Sequence, residues 1–148
     1  MGERLKRKGT NYRYFSRFSY FVLGRGFVHE KVNRIVENAY ESCRKKLPNR
    51  KFQLMEASRK NGGKMWPHRT HQNGLSIDFM TPLQNQGKPF YLLDRLGIWH
   101  YLLGFNQKGK WKTYRKVEID YEAMAQHILA LDQAARQEGM MIKKVIFK

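Results

Sequence analysis

The sequence predicts an α+β fold with a mainly antiparallel sheet and helices packed against it. Two well-separated segments have apolar residues at helical spacing. The remaining chain contains short strand-like runs, without the regular strand–helix alternation and glycine-rich turns of a doubly wound sheet. Because no internal repeat or low-complexity linker interrupts the 148 residues, we expect a single domain, residues 1–148.

The first helix is predicted to begin near Val28 and to end in the segment KKLPNR, where cations precede Pro48. The single cysteine, Cys43, lies on its apolar face and is expected to be a buried thiol. One cysteine also excludes an intramolecular disulfide and any cysteine-rich zinc site. The apolar face consists of Val28, Val32, Ile35, Val36, Ala39, Tyr40 and Cys43.

Two strands are predicted in the middle of the chain. The segment KFQLMEAS alternates in polarity from Phe52 to Met55. After the Gly62–Gly63 break, residues 75–80 are predicted to form a strand whose side chains alternate between two faces. One face carries Leu75, Ile77 and Phe79, and the other carries Ser76, Asp78 and Met80. The sequence therefore places a carboxylate in a largely apolar strand.

The last third of the chain is predicted to contain a second helix. Residues 88–105 are apolar and aromatic without a clear period, which suggests a short helix leading into a strand, and NQKGKW is typical of a turn. The second helix is predicted to begin after an N-cap at Asp120 and to end at Gly139. Its apolar stripe is Met124, Ile128, Leu131 and Ala135. The segment MMIKKVIFK is predicted to form a last strand.

The net charge favours anionic partners. Lysine and arginine number 29 against 12 acidic residues, for a formal charge of +17. Nucleic acid, acidic lipid and a polyanionic cell wall all match this charge.

No apolar run approaches the roughly 18 residues of a membrane span, and the N-terminal segment lacks the apolar core of a signal peptide. We therefore expect no membrane span and no export signal, while the oligomeric state is left open.

Asp78 is the most informative residue in the sequence. An ionised carboxylate among apolar neighbours is costly unless a cation compensates it. His71 can fold back over the same face across the Asn73–Gly74 turn, so that an imidazole nitrogen and a carboxylate oxygen converge. Such a pair suits zinc, which binds N and O ligands at about 2.0–2.2 Å. His68 lies close by in sequence as an additional ligand or a supporting residue.

A structural alternative for the same residues is an ion pair without metal. In that case Asp78 pairs with Arg69 or Lys64, and both histidines are solvated loop residues. The other histidines have structural interpretations that we favour over metal binding. His127 is expected to pack near the second helix stripe, His100 to join an aromatic cluster, and His29 to lie exposed at the start of the first helix.

The segment GGKMWPHRTHQNGLSIDFM resembles the first metal motif of the penicillin-insensitive murein endopeptidases. That family belongs with the lysostaphin-type and D-Ala-D-Ala metallopeptidases and the hedgehog signalling domain. Its His-x6-Asp motif is matched by His71 and Asp78, and its PH-x-[ST]-H-x-N-G context is matched around His68. The likeness extends to NYRYFSRF, GFVHEKV, KVEIDYEAMAQHILALDQAARQEG and IKKVIF, and so covers most of the chain.

The resemblance implies a zinc metalloendopeptidase that hydrolyses peptide cross-links of bacterial peptidoglycan, in the periplasm or cell wall. His71 and Asp78 would bind the metal, and His68 would be a further ligand or would support the site. The family's second motif, His-x-His, which supplies the third ligand and a histidine that assists catalysis, is absent here. From the resemblance we therefore expect a C-terminally incomplete domain of low or no activity, and we assign no catalytic residue.

Nucleic-acid binding without catalysis is the competing function. Aromatic residues are interleaved with cations in NYRYFSRFSYF and KGKWKTYRK, a pattern that suits phosphate contacts and base stacking. The structural explanation of the same pattern is a set of strands with basic outer faces. No zinc-finger spacing or RRM signature is present.

Overall fold

The computed structural model describes residues 2–64, 71–94 and 102–147. Three helices and seven short strands lie within these ranges. The helices are α1 (Arg17–Phe21), α2 (Glu30–Lys46) and α3 (Tyr121–Gln137). The strands are β1 (Glu3–Arg4), β2 (Tyr12–Tyr14), β3 (Phe27–Val28), β4 (Phe52–Leu54), β5 (Leu83–Asn85), β6 (Lys88–Phe90) and β7 (Val117–Ile119).

The predicted α+β class is confirmed. The described strands form three small sheets: the antiparallel pair β1–β3, the parallel pair β2–β4, and the antiparallel sheet β6–β5–β7. The parallel pair was not expected from the sequence, because the pairing direction depends on contacts between distant segments. No helix in the described ranges is both long and apolar enough to span a membrane, as expected.

Helix α2 forms where its apolar spacing predicts it. His29 is its N-cap, and the Nδ1 atom accepts a hydrogen bond from the backbone N–H of Lys31 at 3.2 Å. The backbone N–H of Leu47 closes the other end by donating to the Cys43 carbonyl at 2.7 Å. Cys43 is fully buried, and burial raises the pKa of its thiol to about 11. The predictions for His29 and Cys43 are confirmed.

Helix α3 also has the predicted ends, but its buried face is displaced from the predicted one. The Asp120 carboxylate accepts from the Ala123 N–H at 2.9 Å, and Gly139 beyond the C-terminus has φ +68°. The buried residues are Ala123, His127, Ala130, Ala134 and Ala135, of which the predicted stripe contained one. Small alanines allow α3 to pack closely against α2, and the larger apolar residues Met124, Ile128 and Leu131 are only partly buried.

Two predicted strands are wrong. In residues 75–80 the described structure has one isolated bridge, between Phe79 and Leu54. The segment MMIKKVIFK forms no strand over its described residues 140–147, and Val145, Ile146 and Phe147 are exposed. β-branched residues favour a strand only when a neighbouring strand supplies hydrogen bonds and packing.

The irregular region 88–105 is described in part. It begins with β6, followed by a short 3₁₀ turn at residues 92–94, whereas residues 95–101, including His100, lie outside the described residues.

The predicted NQKGKW turn is confirmed, since the Asn106 side chain accepts from the backbone N–H groups of Lys108 and Lys110. Gly109 adopts φ +71° in this turn.

A buried ion pair joins α3 to the β6–β5–β7 sheet. The side chain of Arg50 is 4% exposed and contacts the Asp120 carboxylate, and it donates to the Leu83 carbonyl at 2.8 Å. The backbone N–H of Asp120 donates to the Pro82 carbonyl at 2.8 Å. Asp120 therefore caps α3, compensates a buried cation and contacts the segment that enters β5.

We predict that Asp120→Ala lowers the free energy of unfolding by about 3–5 kcal/mol, because it leaves the Arg50 guanidinium buried without its carboxylate. Asp120→Asn should be less destabilising, since an asparagine retains the cap. Urea denaturation followed by circular dichroism measures both. Asp132→Ala, which breaks the exposed pair with Arg136, is the control and should be near neutral. Equal effects of the Asp120 and Asp132 alanine variants would contradict the assigned role.

His127 lies in an aromatic cluster beneath α3, as predicted for a packed histidine. Its ring centroid is 5.3 Å from that of Tyr40, 4.8 Å from that of Phe52 and 4.7 Å from that of Phe79. The side chain is buried, and loss of hydration lowers its pKa from 6.5 to about 4. The histidine is therefore neutral in the folded protein at neutral pH.

The sign of this shift predicts acid sensitivity. The unfolded chain takes up a proton at this residue near pH 6.5, and the folded chain only near pH 4. Stability should therefore be fully present above pH 6.5 and fall by up to about 3 kcal/mol as the pH drops through 4. In His127→Phe this part of the pH dependence should be absent. Identical pH dependence of the free energy of unfolding in His127→Phe and the wild type would contradict the assignment of this acid sensitivity to His127.

Candidate metal centre

His71 and Asp78 lie side by side, as the sequence predicts. The His71 Nε2 and Asp78 Oδ1 atoms are 3.1 Å apart. The His71 side chain is 2% exposed and the Asp78 side chain is 31% exposed, so the pair combines a buried imidazole with a partly accessible carboxylate. Two zinc ligands at tetrahedral angles lie about 3.3 Å apart, so this separation fits a shared metal ion as well as a direct hydrogen bond.

The loop that carries His71 is fixed by hydrogen bonds to three separate segments. The Ser58 hydroxyl donates to the His71 carbonyl at 2.8 Å. The Gly63 N–H donates to the Gln72 carbonyl at 2.9 Å, and the His29 N–H donates to the Gly74 carbonyl at 3.0 Å. These contacts hold the backbone segment from which the His71 imidazole extends.

The Asn73–Gly74 turn brings the chain back toward His71. The Asn73 side chain accepts from the Leu75 N–H at 3.2 Å, and Gly74 adopts φ +73°. A Cβ atom at Gly74 would lie 2.7 Å from the His29 backbone nitrogen. The turn therefore requires glycine for its conformation and for its close approach to the start of α2.

Asp78 is positioned by backbone pairing along residues 53–56. The Met55 N–H donates to the Asp78 carbonyl, and the Asp78 N–H donates to the Glu56 carbonyl, both at 2.8 Å. The Met80 N–H donates to the Gln53 carbonyl at 3.0 Å. Residues 78–80 are thus held like a short antiparallel strand, although regular strand structure does not extend over the predicted range.

A second polar cluster adjoins the Asp78 backbone. The Glu56 carboxylate accepts from Arg25 at 2.9 and 3.1 Å and from the Ser19 hydroxyl at 3.2 Å, and all of this cluster is largely buried. Burial raises the pKa of the adjoining Tyr14, whose hydroxyl donates to the Arg25 carbonyl at 2.5 Å. This cluster was not predicted from the sequence. The position of Glu56 within the predicted strand KFQLMEAS could have indicated it, because a carboxylate in a buried strand requires a cationic partner.

The donor set is limited to two side chains in the described structure. No group of three or more His, Cys, Asp or Glu side chains within residues 2–64, 71–94 and 102–147 is arranged to hold a metal ion. His68, the third metal residue predicted from the sequence, lies outside the described residues. The same is true of Arg69, whereas Lys64, the other alternative partner of Asp78, has an exposed side chain. Within the described residues, His71 and Asp78 therefore offer two of the ligands that a zinc site requires.

Three of the six aromatic residues of the first basic segment are buried in the core, whereas Phe18 and Phe21 are exposed. Tyr12, Tyr14 and Tyr20 are buried, with Tyr12 stacked on Tyr40 at 4.6 Å between ring centroids. Their rings are therefore unavailable for stacking on nucleic-acid bases. In the second basic segment Tyr114 is exposed.

No family model matches the chain, and no curated protein or solved structure is significantly similar to it. The murein endopeptidase resemblance therefore depends on the quoted motifs alone. Family membership, metal binding and enzymatic activity stay predictions.

We predict that Gly74→Ala is more destabilising than Gly87→Ala. Both glycines have positive φ, +73° and +76°, but a Cβ atom at Gly87 would meet nothing within 4 Å. Gly87→Ala should therefore cost about 1 kcal/mol of conformational strain, and Gly74→Ala should cost about 2–3 kcal/mol because His29 must also move. Urea denaturation measures both. Equal costs would show that the turn does not depend on this close contact.

Proposed function

We propose that this chain is a zinc-binding domain of the metallopeptidase type that acts on peptide cross-links of bacterial peptidoglycan. The observation that supports it most directly is the 3.1 Å approach of the His71 Nε2 atom to the Asp78 carboxylate. Buried imidazole and partly exposed carboxylate are both common zinc ligands. His68 is the candidate for a third ligand.

The chemistry that zinc would supply at this position is polarisation of a peptide carbonyl and activation of water for its hydrolysis. The chain's own contribution is to hold the two donors in place. The hydrogen bonds of the His71 loop fix the backbone that carries the imidazole, and the pairing of Asp78 with residues 55 and 56 fixes the backbone that carries the carboxylate. Such support reduces the reorganisation needed for metal binding.

The peptidoglycan substrate and a periplasmic or wall location come from the sequence resemblance. The net charge of +17 is compatible with a polyanionic wall. Because the His-x-His motif is absent from the printed sequence, we expect hydrolysis to be slow or undetectable even if zinc binds. Metal binding is therefore the sharper test of this proposal.

Nucleic-acid binding is the alternative proposal. It is supported by the same charge, but burial of Tyr12, Tyr14 and Tyr20 removes three of the aromatic residues that motivated it. Steep salt dependence of oligonucleotide binding that is unaffected by changes at His71 and Asp78 would favour this alternative.

We predict that the protein binds zinc and that Asp78→Asn and His71→Gln each weaken binding by at least about tenfold, because each removes a direct ligand. Zinc affinity is measured by competition with a chromogenic chelator, and bound zinc by elemental analysis after dialysis. His68→Ala should weaken binding in the same assay if His68 completes the ligand set.

Two matched variants control for charge and for histidine content. Asp132→Asn changes an exposed carboxylate paired with Arg136, and His29→Asn changes an exposed histidine while retaining a side chain that can cap α2. Both should leave zinc affinity unchanged, and circular dichroism verifies folding of every variant. Zinc binding that is equal in the wild type, Asp78→Asn and His71→Gln would exclude this site.

A further inference from the structure

Helix α1 presents its apolar side to solvent. Phe18, Phe21 and Val22 are spaced as i, i+3 and i+4 and are 61%, 57% and 67% exposed. Ser19 and Tyr20 occupy the buried side. Together with the neighbouring Leu23, which is also exposed, these three residues form a contiguous surface that we name the α1 patch. An amphipathic helix ordinarily turns such a stripe toward the core.

The orientation of α1 is fixed by contacts on its buried side. Ser16 caps the helix by accepting from the Ser19 N–H at 3.1 Å, and the Ser19 hydroxyl donates to Glu56. The Tyr20 hydroxyl donates to the Leu5 carbonyl, and the Tyr20 ring packs edge-on against Tyr14 at 5.1 Å. Rotating α1 to bury the patch would break these contacts, so the exposure is built into the fold.

Cations border the patch. The Arg4 guanidinium lies 4.3 Å from the Tyr20 ring centroid and 5.2 Å from that of Phe21, and it donates to the Tyr20 carbonyl at 2.6 Å. Arg17 is exposed in the first turn of α1, next to Phe18. The surface therefore combines exposed aromatic and aliphatic side chains with arginines, on a chain whose net charge is +17.

We propose that the α1 patch is a contact surface for an anionic lipid bilayer. Phe18, Phe21, Val22 and Leu23 would enter the boundary between headgroups and acyl chains, while Arg4 and Arg17 would contact lipid phosphates. A bilayer supplies both a negative surface and an apolar medium. Nucleic acid supplies phosphates and bases for stacking, but it offers no comparable medium for Val22 and Leu23.

The experiment is co-sedimentation of the full chain with vesicles of phosphatidylglycerol and phosphatidylcholine, compared with vesicles of phosphatidylcholine alone. We expect binding to the anionic vesicles that is at least about tenfold weaker in Phe18→Ser/Phe21→Ser/Val22→Ser. The control Leu129→Ser/Met141→Ser changes exposed apolar residues outside the patch and should bind like the wild type. Arg17→Gln should weaken binding more than Lys108→Gln, which changes an exposed lysine elsewhere.

A reporter variant tests insertion directly. The fluorescence that Phe18→Trp adds to that of the three native tryptophans, obtained by comparison with the wild type, should shift to shorter wavelength with anionic vesicles and be quenched by brominated acyl chains. Equal vesicle binding by the wild type and the triple serine variant would overturn the proposal, because charge alone would then account for binding. It would also be overturned if the wild type does not bind vesicles, or if the triple variant loses oligonucleotide binding instead. None of these readouts depends on zinc.

Discussion

Three backbone hydrogen bonds hold residues 78–80 against residues 53–56, and the candidate site depends on this pairing. Because of this pairing, the consecutive side chains of Asp78 and Phe79 lie in different environments. The partly exposed Asp78 carboxylate contacts the buried His71 side chain, whereas the Phe79 ring lies in the core with its centroid 4.7 Å from that of His127. Because site and core share one short stretch of backbone, a change in core packing at Phe79 would also displace the carboxylate.

The His71–Asp78 pair has two chemical interpretations that share one geometry. As a direct hydrogen bond, it orients a buried imidazole and lowers the cost of placing a carboxylate near apolar neighbours. As a ligand pair, it offers one nitrogen and one oxygen to a cation, with the His71 backbone held by its loop contacts and the Asp78 backbone held by pairing with residues 55 and 56. The metal-ligand interpretation requires a third donor, whereas the hydrogen-bond interpretation does not. His68 is the candidate for that donor in the sequence.

The parts of the fold that were predictable are those determined locally. Helices α2 and α3 have caps and apolar periodicity within their own segments, so their ends were predicted closely. The strand predicted at the C-terminal segment failed because strands depend on distant partners, and the parallel β2–β4 pair was missed for the same reason. The His71–Asp78 contact was predictable because the partners are only seven positions apart and an Asn-Gly turn lies between them, whereas Arg25 and Glu56 are 31 positions apart.

The burial of Cys43 between α2 and α3 gives the chain an internal reporter. Its Sγ atom lies 4.0 Å from the Gln126 carbonyl of α3, and its thiol has a pKa of about 11. The reactive thiolate is therefore scarce at neutral pH, and a reagent reaches the sulfur only when the two helices separate. The alkylation rate of this native thiol would thus follow the opening of the helix pair, with no engineered label required.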